Sequence, residues 1–128
     1  MASNPISVAD QMKEILDDYM KYVKQAANDS IGVVSKESVA KLKNTSPKGK
    51  GDYARSWGLE RERGPGHINT VIVRNKKHYQ LTHLLENGHL IVNKKGEYGR
   101  APAHPHIGPA EQWAISELPN EIKKELER

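Results

Sequence analysis

His83, His89, His104 and His106, with Glu86 and Arg100 among them, crowd the stretch Tyr79 to Ala110, YQLTHLLENGHLIVNKKGEYGRAPAHPHIGPA. Four imidazoles on one short stretch are the ligand type that tetrahedral zinc takes. Their spacing argues against it. His83 and His89 lie six apart rather than at the i, i+4 step that puts two ligands on one helical face, and no carboxylate stands at a recognised ligand spacing. The reading adopted is no metal and no cofactor, with ring nitrogens bonded to backbone carbonyls of the proline-rich loop. A pH-sensitive interface contact near the ordinary histidine pKa of ~6.5 is the lesser alternative. A histidine-dependent nuclease is the enzymatic rival, since Glu86, His89, Arg100, His104 and His106 supply a base, an acid and a phosphate clamp. The chain has no nucleophile motif, no phosphate-cradling glycine loop and no HExxH, so the protein reads as a non-enzyme. Glu86 reads as a salt-bridge or capping residue at the end of its helix.

The elements that must hold these residues are legible from spacing. Tyr79, Leu81, Leu84 and Leu85 share one face of a short amphipathic helix, and Asn87-Gly88 supplies the left-handed residue that ends it. Pro102, Pro105 and Pro109 remove backbone donors and push the residues before them extended, which makes a rigid loop. Gly108-Pro109 then opens a last helix with proline at its first position. Ala110, Trp113, Ala114, Glu117 and Leu118 recur at helical steps in it. Pro119 should kink or restart that helix, with Ile122 and Leu126 docking the restarted piece.

Upstream, Ser7 with Asp10 is close to a capping box. From there Val8, Met12, Ile15, Leu16, Tyr19, Val23, Ala26 and Ala27 form one apolar stripe. Val34, Val39 and Leu42 continue it, which predicts either one helix to about Lys43 or a helix kinked near Gly32. So long a helix overhangs the core of a small domain, and the overhang is free to pack on another subunit. Asn44 to Asp52 is a flexible, solvated loop by composition, and residues 1–6 a flexible tail in which Pro5-Ile6 is free to dock on a neighbour. Tyr53 to Ser56 gives one helical turn, and Trp57 to Glu62 alternates as a strand with one wet face. Arg63-Gly64-Pro65-Gly66 turns it into a second strand, Ile68 to Val73, apolar on both faces like a covered central strand. Leu90-Ile91-Val92 and Glu97-Tyr98 flank Asn93-Lys94-Lys95-Gly96 as a second hairpin. Trp57 and Trp113 are read as core or sheet-covering residues.

Leu84-Leu85-Glu86-Asn87-Gly88-His89, paired with Pro102-Ala103-His104-Pro105-His106-Ile107-Gly108-Pro109-Ala110, resembles the tail-completion, or head–tail joining, family of long-tailed bacteriophages. Thr45-Ser46-Pro47, the glycines after it and Tyr53-Ala54-Arg55-Ser56 resemble that family's segment before its first strand. The chain departs from the pattern in a longer Gly88-to-Pro102 segment and in Pro119. The resemblance implies a structural protein of the neck that forms a ring, hexameric, at the head-proximal end of the tail. There it completes or terminates the tail and joins it to the head connector. The implied partners are further copies of itself, the tail tube protein and a head-closure or connector protein, with transient contact to genomic DNA in the lumen. The implied location is the virion, after assembly in the host cytoplasm.

Composition agrees with an assembly part. The 128 residues are 36% apolar with no Phe, and 28% are charged. That bounds one domain over 1–128 with a modest core, stabilised in part by its neighbours. The balance is basic, +4 with pI about 9.3, but the lysines are scattered. A small basic nucleic-acid-binding module is therefore the lesser reading. There is no cysteine, hence no disulfide framework, which suits a reducing cytoplasm. No signal peptide and no membrane-spanning run is read. The expected fold is α+β: a long N-terminal helix and a C-terminal helix packed on a small antiparallel β-sheet, with a short middle helix. Candidate interface residues are Lys48, Lys50, Arg100, His104 and His106. Lys48 and Lys50, with Lys94 and Lys95, are the candidates for a lumen lining.

Overall fold

The apolar stripe that begins at Val8 produces a single helix, α1, Val8–Thr45, 38 residues long without a break at Gly32. The computed structural model describes residues 7–64, 68–93 and 96–128, without the side chains of Asn93, Glu97 and Tyr98. The readings placed on residues 1–6, on Pro65-Gly66 and on Lys94-Lys95 lie outside the described residues. Ser7 caps α1 as its sequence suggests, its Oγ accepting from the Asp10 amide at 3.0 Å. The helix ends at Ser46, whose backbone N–H and hydroxyl both turn back to the Leu42 carbonyl. Asn44 and Thr45 thus belong to the helix and Asp52 opens the next element, so the loop proper is residues 47–51.

The chain continues through α2 (Asp52–Arg55), β1 (Trp57–Arg63) and β2 (Asn69–Asn75). A 3-10 turn over Tyr79–Leu81 leads into α3 (Thr82–Asn87), followed by β3 (His89–Asn93), β4 (Gly96–Ala101) and α4 (Ile107–Leu126). The fold is α+β as expected, but the strands form two separate antiparallel hairpins, β1–β2 and β3–β4. In the first, Trp57 stands opposite Asn75, Leu59 opposite Val73 and Arg61 opposite Val71. Pleating puts those pairs on one face, toward the helices, and sends Ile72 to the other. Ile72 is exposed, so β2 is not the covered central strand that its composition suggested.

Helices α1 and α4 pack against each other in opposite directions. Leu42 near the end of α1 lies in the same cluster as Ala110 near the start of α4. At the other end the Tyr22 hydroxyl donates to the Leu126 carbonyl at 2.9 Å. The contact face of α1 is built largely from small residues. Ala26, Ser30, Val34, Ser35 and Ser38 are buried along it. The Ser30 and Ser38 hydroxyls return to the carbonyls of Ala26 and Val34 at 2.8 Å each, so no polar atom is stranded there. The central cluster is Leu42, Tyr53, Trp57 and Ala110, flanked by Val39, Val73, Leu85 and Ile107.

Two expectations about α4 change. Pro109 is its third residue, still within the first turn, where a missing N–H costs no helical bond. Pro119 lies inside a helix that is continuous to Leu126 rather than restarted. The bond Pro119 cannot make would go to the Ile115 carbonyl, and Ile115 is exposed, where water can take that carbonyl's lone pairs.

α1 is longer than anything that covers it. Val8, Met12, Ile15, Leu16, Tyr19 and Met20 are all exposed, Val8 at 72% and Met12 at 57%. The second hairpin is bare as well, with Leu90, Ile91 and Val92 all exposed.

Candidate functional site

The loop after β4 is held to α3 by a carboxylate that grips main chain. Glu86 Oε1 accepts from the amides of His106 and Ile107, each at 2.7 Å, and Oε2 accepts from Gly108 at 2.9 Å. Those are unpaired donors at the start of α4, the end of a helix where a negative charge is favoured. Glu86 is therefore a capping residue, for a helix 20 residues downstream instead of its own. Burial opposes its ionisation, but the three amides together hold its carboxyl below the ordinary glutamate value. A fourth bond, from the His104 amide to the Leu85 carbonyl at 2.8 Å, fixes the other side of the loop. Gly88 makes the close approach possible. Its φ of 76° with ψ of 171° is a glycine conformation, and a Cβ there would stand 2.6 Å from the Ala101 carbonyl oxygen.

His106 sits behind this clasp, 1% exposed. Its Nδ1 lies 2.6 Å from the His104 carbonyl and 3.0 Å from Glu86 Oε1. Both neighbours only accept, so the proton is on Nδ1. In the neutral ring Nε2 then accepts from the Tyr53 hydroxyl, 2.7 Å away. Tyr53, Trp57 and His106 form a triangle of edge-to-face rings with centroids 5.6 to 6.1 Å apart. Burial first, and the Glu86 charge second, push the Tyr53 phenol up to about 12.

The network extends outward from there. Asn75, 1% exposed, donates to the Tyr53 carbonyl at 2.7 Å and accepts from the His78 amide at 2.8 Å. Trp57 Nε1 donates to Ser46 Oγ at 2.8 Å. At the surface His78 Nε2 lies 2.6 Å from Asp52 Oδ2. That hydrogen bond, with the charges of Lys77, His78 and Arg55 behind it, keeps the Asp52 carboxyl below its ordinary value against the opposing effect of desolvation.

The residues singled out in the sequence part into two groups. Lys48, Lys50, Arg100 and His104 are exposed. Arg100 reaches the Asn87 carbonyl at 3.4 Å, and Lys48 donates to the Lys43 carbonyl at 2.7 Å. His106 is enclosed by its own chain, with both ring nitrogens engaged, so its imidazole has no face to offer a partner or a substrate. The expectation of a histidine bonded to a carbonyl of the proline loop describes it. His83 is exposed and His89 half-buried, with no described partner for its buried Nδ1. Among the described residues no three His, Cys, Asp or Glu side chains are grouped to hold a metal ion. Trp57 is buried, while Trp113 is half-buried with Lys41 Nζ 4.8 Å from its ring centre. Tyr53, Asn75, Ser46 and the Asp52–His78 pair were not foreseen. Asn75 reads in sequence as a strand-ending polar residue, and nothing local marks it as buried.

What the clasp can do is shape a loop. Residues 102–105 are exposed and lie between the β4 residue Ala101, paired with His89, and the amides of His104 and His106, held by the Leu85 carbonyl and by Glu86. A model of the family described as "Bacteriophage HK97-gp10, putative tail-component" matches residues 7–88. The chain belongs to this HK97-gp10-like family. No curated protein and no solved structure matches the chain. The HK97-gp10-like match runs from α1 to the glycine after α3, so it contains Tyr53, Trp57, Asn75 and Glu86. The proline–histidine loop lies beyond it. Glu86 is thus the point where the family region takes hold of the rest of the chain. Membership makes the protein a phage tail component, which works in the virion among other virion proteins. No described helix is long and apolar enough to cross a membrane.

Proposed function

We propose that the protein is a structural, non-catalytic component of the phage neck. It assembles into a ring, hexameric, at the head-proximal end of the tail, where it completes the tail and joins it to the head connector. The observation that carries this reading is the bare apolar stripe of α1. A tail component that leaves Val8, Met12, Ile15, Leu16 and Tyr19 in water has a surface meant for another protein chain. Closed rings are built from head-to-tail contacts between two different surfaces of each subunit, and an overhanging helix supplies one of them. The clasped loop 102–105 supplies a preshaped edge for an axial partner, the tail tube below or the connector above. Its rigidity lowers the ordering cost of docking. Lys48 and Lys50, exposed beside α2, are the residues available to line a lumen through which genomic DNA passes. Assembly takes place in the host cytoplasm.

The test is the mass of the purified protein by light scattering, alone and with tail tubes or connector rings of the same phage, at two salt concentrations. A ring, alone or only on the tail, is the expected result. A monomer that ignores tails and connectors, and binds nucleic acid with a steep salt dependence, overturns the reading in favour of a nucleic-acid-binding module.

A further inference from the structure

We propose that the bare stripe of α1 in one copy is covered by the β3–β4 hairpin of the next copy, which makes this pair of surfaces the head-to-tail joint of the ring. The inference rests on the ring reading above and names its interface.

The two surfaces are exposed apolar clusters that stand far apart on one molecule. On α1 the same face that α4 covers from Tyr22 onward continues uncovered to Val8, so the joint would extend an interface that already exists. The hairpin presents Leu90, Ile91 and Val92, with Val92 63% exposed, and its pairing shifts register between Leu90 and Val92. Alternation along a strand and the local bulge spread these side chains over both faces, which no element of the same chain can cover at once.

Distance rules out closure within one molecule. The hairpin leaves the body at Gly88 and Ala101, beside the clasp and hence at the Leu42 end of α1. From Leu42 back to Tyr19 is roughly 35 Å of helix at ~1.5 Å per residue. A five-residue strand such as β3 reaches only about 17 Å at ~3.3 Å per residue. One copy cannot lay its own hairpin on its own stripe, so a joint between the two surfaces takes two copies.

Charge chooses the pairing. Residues 8–21 carry Asp10, Glu14, Asp17 and Asp18 against Lys13 and Lys21, four acids and two bases, a net of −2. On the hairpin the charged side chain that is described is Arg100, an exposed cation. Helix on helix, or hairpin on hairpin, would bring like charges together. Helix on hairpin brings opposite ones together around an apolar centre, the usual anatomy of a specific interface.

The chain has no cysteine, so single thiols can report the contact cleanly. Leu16→Cys and Val92→Cys are prepared as two separate full-length proteins, each checked by circular dichroism. They are mixed on tail tubes or under whatever condition gives the ring by light scattering, and oxidised gently. The expected product is a disulfide-linked pair in the mixture and none from either variant alone. The double variant should give a ladder that stops at the ring number. Asp17→Lys with Asp18→Lys should reduce assembly at least ten-fold, and adding Arg100→Glu to the same chain should recover part of it. A ring that forms with no mixed cross-link overturns this pairing and leaves the neck ring standing. Self-linked Leu16→Cys would overturn it in favour of a helix-to-helix contact. Failure to assemble under any condition overturns both.

Discussion

Glu86 acts on three amides at once, so its removal should be felt beyond its own helix. Replacing it with Gln keeps one acceptor and the shape but discards the charge. The expected loss is about 1–3 kcal/mol in urea unfolding, the range for hydrogen bonds to a charged group and for helix caps. The folded carboxyl titrates below its ordinary value of 4.5, so its contribution is fully present above that value and is lost as pH falls through the folded pKa. Stability of the native protein should therefore drop on acidification below about pH 4.5, and Glu86→Gln should flatten part of that drop. An equal acid slope in both proteins would contradict the role given to the carboxylate. Tyr53 works at the other end of the scale. Its phenol is held neutral to about 12, so its share of stability is intact below the ordinary value of 10.0 and is lost between the two. Tyr53→Phe leaves His106 Nε2 buried without its donor, which should cost about 1–3 kcal/mol at neutral pH and remove a spectrally visible tyrosine titration near pH 12. Of these residues only Glu86 was visible in the sequence as a cap. That it caps a helix beyond a hairpin depends on a tertiary approach that no spacing encodes, and so does the burial of His106.

Elements were easier to read than their neighbours in space. The N-cap at Ser7, the helical turn before Trp57, both hairpins and the stop at Gly88 are local rules, and the structure follows them. The single small sheet expected is instead two hairpins, with the 3-10 turn and α3 between β2 and β3 in the chain. The helix through Pro119 also defeats the local rule, since a single missing bond on the wet side of a helix packed on α1 is a tolerable loss. Pro119→Ala should therefore raise the melting temperature by a few degrees, as up to ~3 kcal/mol of helix propensity is opposed by the greater freedom of the unfolded chain. Gly88→Ala should do the reverse. Its positive φ and the 2.6 Å approach to the Ala101 carbonyl predict a loss of more than ~1 kcal/mol and a loosened loop, measurable as faster amide exchange at His104.

Seen whole, the molecule divides into a body with a closed core and two extensions that have none. The low apolar content noted in the sequence reflects a core closed by alanine, serine and one aromatic triangle. Much of the larger aliphatic material is spent outside, on the α1 overhang and the second hairpin. Stability should accordingly depend on protein concentration once assembly begins, with a higher melting temperature for the assembled form than for dilute monomer. Calorimetry at two concentrations bracketing the transition seen by light scattering would check it, and identical curves would count against the extensions as mutual partners. The clasp has one more consequence for a part that must fit other parts. Glu86 and the Leu85 carbonyl hold peptide groups, and the exposed side chains of Ala103 and His104 take no share in that grip. The contour of the loop is thus set by main-chain bonds and by its two prolines, while the side chains of Ala103 and His104 are left open, so a neck of this design can be re-addressed to a different mating surface by rewriting those two residues on an unchanged frame.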